Sequence, residues 1–94
     1  MNCDSCQIFA PNVILTSSIK NNIFTIYLDS ECTFTDVELL IFDRWGNNVY
    51  KGNDLFWDGT FKNSVCESGV YTYLLKYFIF ENQYIKNGTI TLLK

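Results

Sequence analysis

Apolar residues recur at every second position along much of this chain, and nowhere at the spacing of an amphipathic helix over a useful length. The pattern therefore predicts strands. Gln7 to Leu15 is largely apolar and broken at Pro11; a proline belongs at a sheet edge or bulge, so this segment is expected as a first edge strand. Ile23 to Leu28 alternates, with Phe24, Ile26 and Leu28 on one face. Val37 to Phe42 is a nearly unbroken apolar run suited to a central strand. It turns at Asp43–Asn48 and returns as Val49–Lys51, a hairpin. Leu55 to Thr60 reads as a short extended piece, and Phe61 to Ser68 as a loop.

Val70 to Phe80 is the longest predicted strand, with Tyr71, Tyr73, Leu75, Tyr77 and Ile79 on one face. Glu81-Asn82 turns it into the last strand, Gln83 to Leu93, in which Ile90 and Leu92 share a face. About seven short strands with frequent turns predict an all-β chain, an antiparallel immunoglobulin-like β-sandwich. The Cys–Trp–Cys signature of true immunoglobulin domains is absent. Residues 1–6 read as a linker end and residues 7–94 as one domain.

A chain of 94 residues exposes much surface for its volume, so its core must be dense. The 17% aromatic content supplies the bulk and argues against a disordered tail. The formal charge of −3 and the lack of any Lys/Arg cluster remove the electrostatic footprint of a nucleic-acid binder. No apolar run is long enough to insert in a membrane as a helix. Met1-Asn2-Cys3-Asp4 does not open a signal peptide, so an exported form is expected to draw its leader from upstream. Histidine is absent, which removes the commonest general base and metal ligand; no enzyme activity, cofactor or metal is expected.

Five features carry candidate chemistry, each with a plainer alternative. In Arg44-Trp45-Gly46, an arginine beside an exposed tryptophan would make a recognition hot spot. Alternatively, Gly46 supplies a positive-φ turn, Trp45 closes the end of the core and Arg44 stacks on an aromatic ring. In Trp57-Asp58-Gly59-Thr60, Asp58 would be an acid or metal ligand, or else the acceptor of an Asx-turn with Gly59 left-handed and Trp57 packed inward; the turn reading is preferred. The tyrosines Tyr71, Tyr73, Tyr77 and Tyr84 would form a sugar-stacking platform if exposed and coplanar, or a packed stripe if not. Gly88 in Asn87-Gly88-Thr89 is expected to mark a bulge in the last strand, and the glycosylation pattern there to be chance.

The fifth feature is cysteine. Cys3, Cys6, Cys32 and Cys66 offer only half of a four-cysteine zinc spacing, which leaves disulfides as the better reading, with three possible connectivities. If successive strands alternate in direction, Cys3 or Cys6 falls near Cys32 while Cys66 lies at the other end. Cys6–Cys32 is the favoured pair, with free thiols as the alternative.

Three blocks stand in order: Ile41-Phe42-Asp43-Arg44-Trp45-Gly46-Asn47, Phe56-Trp57-Asp58-Gly59-Thr60 and Ser68-Gly69-Val70-Tyr71-Thr72-Tyr73. Pro11-Asn12-Val13 precedes them, and Lys86-Asn87-Gly88-Thr89-Ile90-Thr91-Leu92-Leu93-Lys94 follows at the last residue. This order resembles the gliding-motility-associated C-terminal domain, the type B sorting domain of the type IX secretion system of Bacteroidota. The resemblance spans about Pro11 to Lys94 and weakens before Ile23, where the family's Asp-Gly-rich loop is replaced by Ile14-Leu15-Thr16-Ser17-Ser18-Ile19-Lys20-Asn21-Asn22. The loss of that loop removes the expectation of a calcium site.

The resemblance implies the same sandwich, and a non-enzymatic address on a larger secreted or surface protein. Its partners would be the outer-membrane translocon, associated components and the upstream cargo domains of the same chain. Residues expected to carry recognition are Arg44, Trp45, Trp57, Asp58, Gly69, Tyr71, Gly88 and Lys94, with Asn87 to Lys94 as a candidate for strand addition. The rival readings are an extracellular carbohydrate-binding or adhesin module, and a spacer between other domains.

Overall fold

The computed structural model describes residues 8–11, 13–15, 23–29, 32–62 and 64–93. Its elements are β1 (Ile8–Phe9), β2 (Val13–Leu15), β3 (Phe24–Thr25), β4 (Tyr27–Leu28), β5 (Thr35–Phe42), β6 (Asn48–Gly52), β7 (Phe56–Trp57), β8 (Thr60–Phe61), β9 (Ser64–Val65), β10 (Gly69–Ile79) and β11 (Asn82–Leu93). The described residues are strands and turns without a helix, as the two-residue periodicity requires.

One five-stranded sheet runs in the order β2-β11-β10-β5-β6. Its β11, β10, β5 and β6 pair antiparallel, whereas β2 runs parallel to β11. Over the sheet lies a smaller layer, in which β1 pairs with β4 and β3 pairs with β7. Ile26 joins β3 to β4 and donates its amide to the Leu55 carbonyl at 2.8 Å, extending the β3–β7 pairing. Two tilted aromatic pairs link the layers: Phe24 on Tyr73 and Trp57 on Tyr71, each with 5.4 Å between ring centroids. The arrangement is sandwich-like. The core is Ile14, Ile90, Leu92, Tyr71, Tyr73, Leu75, Leu39, Ile41 and Val49 from the large sheet, closed by Phe24, Ile26 and Trp57.

Several expectations need correction. The first strand is not one piece: at Ala10-Pro11 the chain leaves β4 in one layer and joins β11 in the other. Proline cannot donate to a sheet ladder, so the break falls where neither sheet needs an amide. The expected loop at 61–68 contains β9, paired with β8 in a tight hairpin. The longest strand is β11, with 12 residues, against 11 in β10.

Gly88 is not a bulge. The β10–β11 register runs unbroken from Gly69↔Leu92 to Ile79↔Asn82, with Gly88 opposite Tyr73. A Cβ at Gly88 would stand 2.7 Å from the Tyr73 ring and hydroxyl, so glycine is there to let that ring lie over the strand. The irregularities fall instead at Ile41/Phe42 in the β5–β6 pair and at Lys76/Phe78 in the β10–β5 pair.

Candidate functional site

Two aspartate-glycine turns present the two tryptophans. In the β5–β6 turn the Asp43 carboxylate accepts the amides of Trp45 at 2.9 Å and Asn47 at 2.8 Å, and the Asn47 side-chain amide at 3.1 Å. Gly46 takes φ 86° and donates to the Asp43 carbonyl at 3.0 Å. Partial desolvation pushes the Asp43 carboxyl up, but the hydrogen bonds from Asn47, Trp45 and Gly46 outweigh it and hold the group below its ordinary value. The carboxylate is thus committed to the turn.

Arg44 is left to lie over the Trp45 ring, 4.3 Å from its centroid, and forms no ion pair among the described residues. Trp45 is 72% exposed, so the expectation that it closes the core is wrong. The reason is position: Trp45 sits in the turn, past the last residue of β5 and outside the alternation that points side chains inward. Beside it, Asp43, Arg44, Trp45, Ser68, Gly69 and Tyr71 line a small cleft of about 160 Å³.

The second turn behaves as the plainer reading expects. Asp58 accepts the Thr60 amide at 3.1 Å and the Thr60 hydroxyl at 2.6 Å, and Gly59 takes φ 82°. Trp57 is buried, and its indole N–H donates to the Thr60 carbonyl at 3.0 Å. Asp58 is exposed but serves its own loop, as an Asx-turn does.

Tyr71 is buried near the start of β10, and its hydroxyl donates to the Glu67 carbonyl four residues upstream at 2.7 Å. This is the tyrosine-corner arrangement of immunoglobulin-like sandwiches. Burial first, then the neighbouring Cys66 thiol and the acidic Asp43 and Glu67, push the phenol up to about 12. Gly69, at φ 157° with open space around it, opens the strand beside the cleft.

The sugar platform does not form. Tyr71 and Tyr73 are in the core, and Tyr77 and Tyr84 stack on each other with centroids 5.6 Å apart. Cys32 is disulfide-bonded and Cys66 lies beside Tyr71 as a thiol. Cys3, Cys6 and Lys94 lie outside the described residues, and with them the favoured Cys6–Cys32 pair. Among the described residues, no three His, Cys, Asp or Glu side chains converge as a metal site would need.

Of the expected recognition residues, then, Arg44, Trp45, Gly69 and Tyr71 meet at one end of the sandwich. Trp57 and Gly88 are packing residues of the core, and Asp58 a turn residue. The strand-addition candidate is only partly open: Thr91, Leu92 and Leu93 are flanked by β10 or β2 pairing. One feature escaped the sequence reading altogether. Phe80, at the tip of the β10–β11 hairpin, is 78% exposed and adopts φ 59°. Its only signal was a two-residue gap between alternating runs, with no glycine in it.

No curated protein and no solved structure matches this chain. A known family does: the CHU_C type IX secretion signal domain matches over residues 7–92. Domains of that family are sorting signals rather than catalysts, and belong to proteins exported to the cell surface or medium. The match takes in both tryptophan turns, the tyrosine corner and all but the last residue of the five-stranded sheet, and the chain belongs to the type IX secretion signal domain family.

Proposed function

We propose that this domain is the C-terminal address of a larger cargo protein, recognised as a folded unit by the type IX outer-membrane translocon or an associated component. Recognition then carries the cargo across the outer membrane to the surface or medium, with no chemical step. The observation that supports this reading is the state of Trp45: a large aromatic side chain, exposed, held by a turn that Asp43 and Gly46 fix, with the Arg44 guanidinium on its ring. The fold gains little from that arrangement, since exposed cation–π contacts are worth about 0.5–1 kcal/mol. Tryptophan and arginine are the side chains that most often dominate protein interfaces. Gly69 and Tyr71 contribute as walls of the adjoining cleft, while Trp57, Asp58 and Gly88 act through the fold.

The test is export. Residues 1–94 are fused behind a reporter carrying a Sec signal peptide, in a bacterium with type IX secretion and any accessory component co-expressed. Reporter outside the cells is compared with that of a translocon-deficient strain. Translocon-dependent release is expected, with Trp45→Ala and Arg44→Ala each reducing it at least tenfold while the fusion stays folded. Retention of a folded, stable wild-type fusion overturns the sorting reading.

A further inference from the structure

The two edges of the five-stranded sheet are treated differently. At one edge, β6 is five residues long, and its Tyr50 carbonyl is already taken by the Asn48 side-chain amide at 2.8 Å. The same amide also reaches the Ile41 carbonyl at 3.1 Å, across the register shift. A short, irregular edge with one of its acceptors already used by its own side chain is poorly suited to receive another strand.

At the other edge lies β11. It pairs with β10 from Asn82 to Leu92, all but its last residue. On its far side β2 covers only Thr91, Leu92 and Leu93. From Asn82 to Ile90 the far side of β11 pairs with nothing among the described residues. In an antiparallel ladder about half of those peptide groups point outward, here a row of donors and acceptors that no described strand meets. The stretch is continuous and in unbroken register, so it presents a straight template.

Two further observations bear on what fills it. Exposed apolar side chains gather at the same hairpin: Phe80 at the tip, Ile85 at 58% exposure and Tyr84 at 43%. Phe80 holds a left-handed backbone at a place where glycine is usual. The charge is equally specific. Lys86 is the one charged residue between Asn82 and Ile90, stands near the middle of the open stretch, and has no ion pair among the described residues. Symmetric pairing of two copies about the middle of this edge would bring Lys86 against Lys86, which opposes self-association.

We infer that Asn82–Ile90 of β11 is a strand-addition site for an extended segment of an export-machinery protein that sets an acidic side chain against Lys86 and apolar ones against Phe80 and Ile85. The inference rests on the sorting reading and places a second contact at the end of the sandwich opposite Trp45.

The test uses the same reporter fusion, with thermal unfolding of each variant measured alongside export. Lys86→Glu is expected to lower export at least tenfold without changing the melting temperature, and Lys86→Arg to retain it. Single prolines at Tyr84, Ile85, Lys86 and Asn87 should divide with a period of two. Those whose amide faces β10 lose stability, and those whose amide faces outward stay folded but lose export. Folded outward-facing proline variants and Lys86→Glu that export like wild type overturn the inference and leave the sorting reading intact. Failure of the wild-type fusion to export removes both. A dimer by light scattering that an outward-facing proline breaks assigns the edge to a second copy and also overturns it.

Discussion

The two tryptophan turns use the same local parts to opposite ends. Each has an aspartate that accepts amides of its own loop, and each has a glycine in the left-handed region, Gly46 at φ 86° and Gly59 at φ 82°. Trp57, however, precedes its aspartate and still belongs to β7, so strand alternation drives it into the core against Tyr71. Trp45 follows its aspartate, lies beyond β5 and faces solvent under Arg44. Turn chemistry decides that the chain reverses; the place of the aromatic relative to the strand end decides whether it is buried in the fold or left facing solvent.

The sharpest way to break this comparison is to remove each ring. Trp57→Ala is expected to cost about 3–5 kcal/mol in urea unfolding, through lost burial and the cavity left behind. Trp45→Ala should stay within about 0.5 kcal/mol of wild type in the same measurement, while export falls. Similar losses at the two sites would show that the exposed ring also supports the fold.

The next effect is at Gly88, the glycine required by close approach rather than by a turn. Gly88→Ala forces a Cβ against the Tyr73 ring and is expected to cost about 1–3 kcal/mol. Gly46 has open space around it, so Gly46→Ala pays only for the backbone conformation, about 1 kcal/mol. A reversed order would mean that Tyr73 moves aside freely.

Tyr71 links the two regions, since it packs on Trp57 and walls the cleft beside Trp45. Its folded pKa is raised to about 12 from an ordinary value of 10.0. The unfolded chain therefore releases this proton first: the stability it supports is complete below pH 10 and is lost as pH rises from there toward 12. Tyr71→Phe removes the bond to the Glu67 carbonyl, costs about 1 kcal/mol at neutral pH, and should make the alkaline decline shallower without abolishing it, because buried Tyr73 is raised too. An unchanged alkaline slope would refute the assignment to Tyr71.

The smallest effect is local. Asp43 has its pKa lowered by turn amides, so its contribution is present above the ordinary carboxylate range and fades as pH falls through the lowered value. Asp43→Ala is expected to speed amide exchange at Trp45 and Asn47 while exchange in the Trp57–Thr60 turn is unchanged. Loss of protection in both turns together would show that they open as one unit.

Much of the molecule was legible from the chain because it rests on short-range rules. Period-two alternation gave Tyr71, Tyr73 and Leu75 a common inward face, and all three are buried. The Asp58 turn and the left-handed Gly46 and Gly59 follow from side-chain size and hydrogen-bonding reach. The missing parts are those in which two distant segments meet. That Ala10-Pro11 passes between layers, and that β2 runs parallel to β11, depends on where the last strand lies. Gly88 looked like a bulge because nothing near it in sequence reveals the Tyr73 ring that needs its space.

The sequence by itself determined an all-β chain, its turns, the inward face of each long strand and its family motifs, because backbone sterics and side-chain alternation act within a few residues. Only the tertiary structure decided which tryptophan is covered and which is bare, and which stretch of strand has one side unpaired among the described residues. Burial and edge exposure belong to the packing of one layer on another, and no local pattern carries that information.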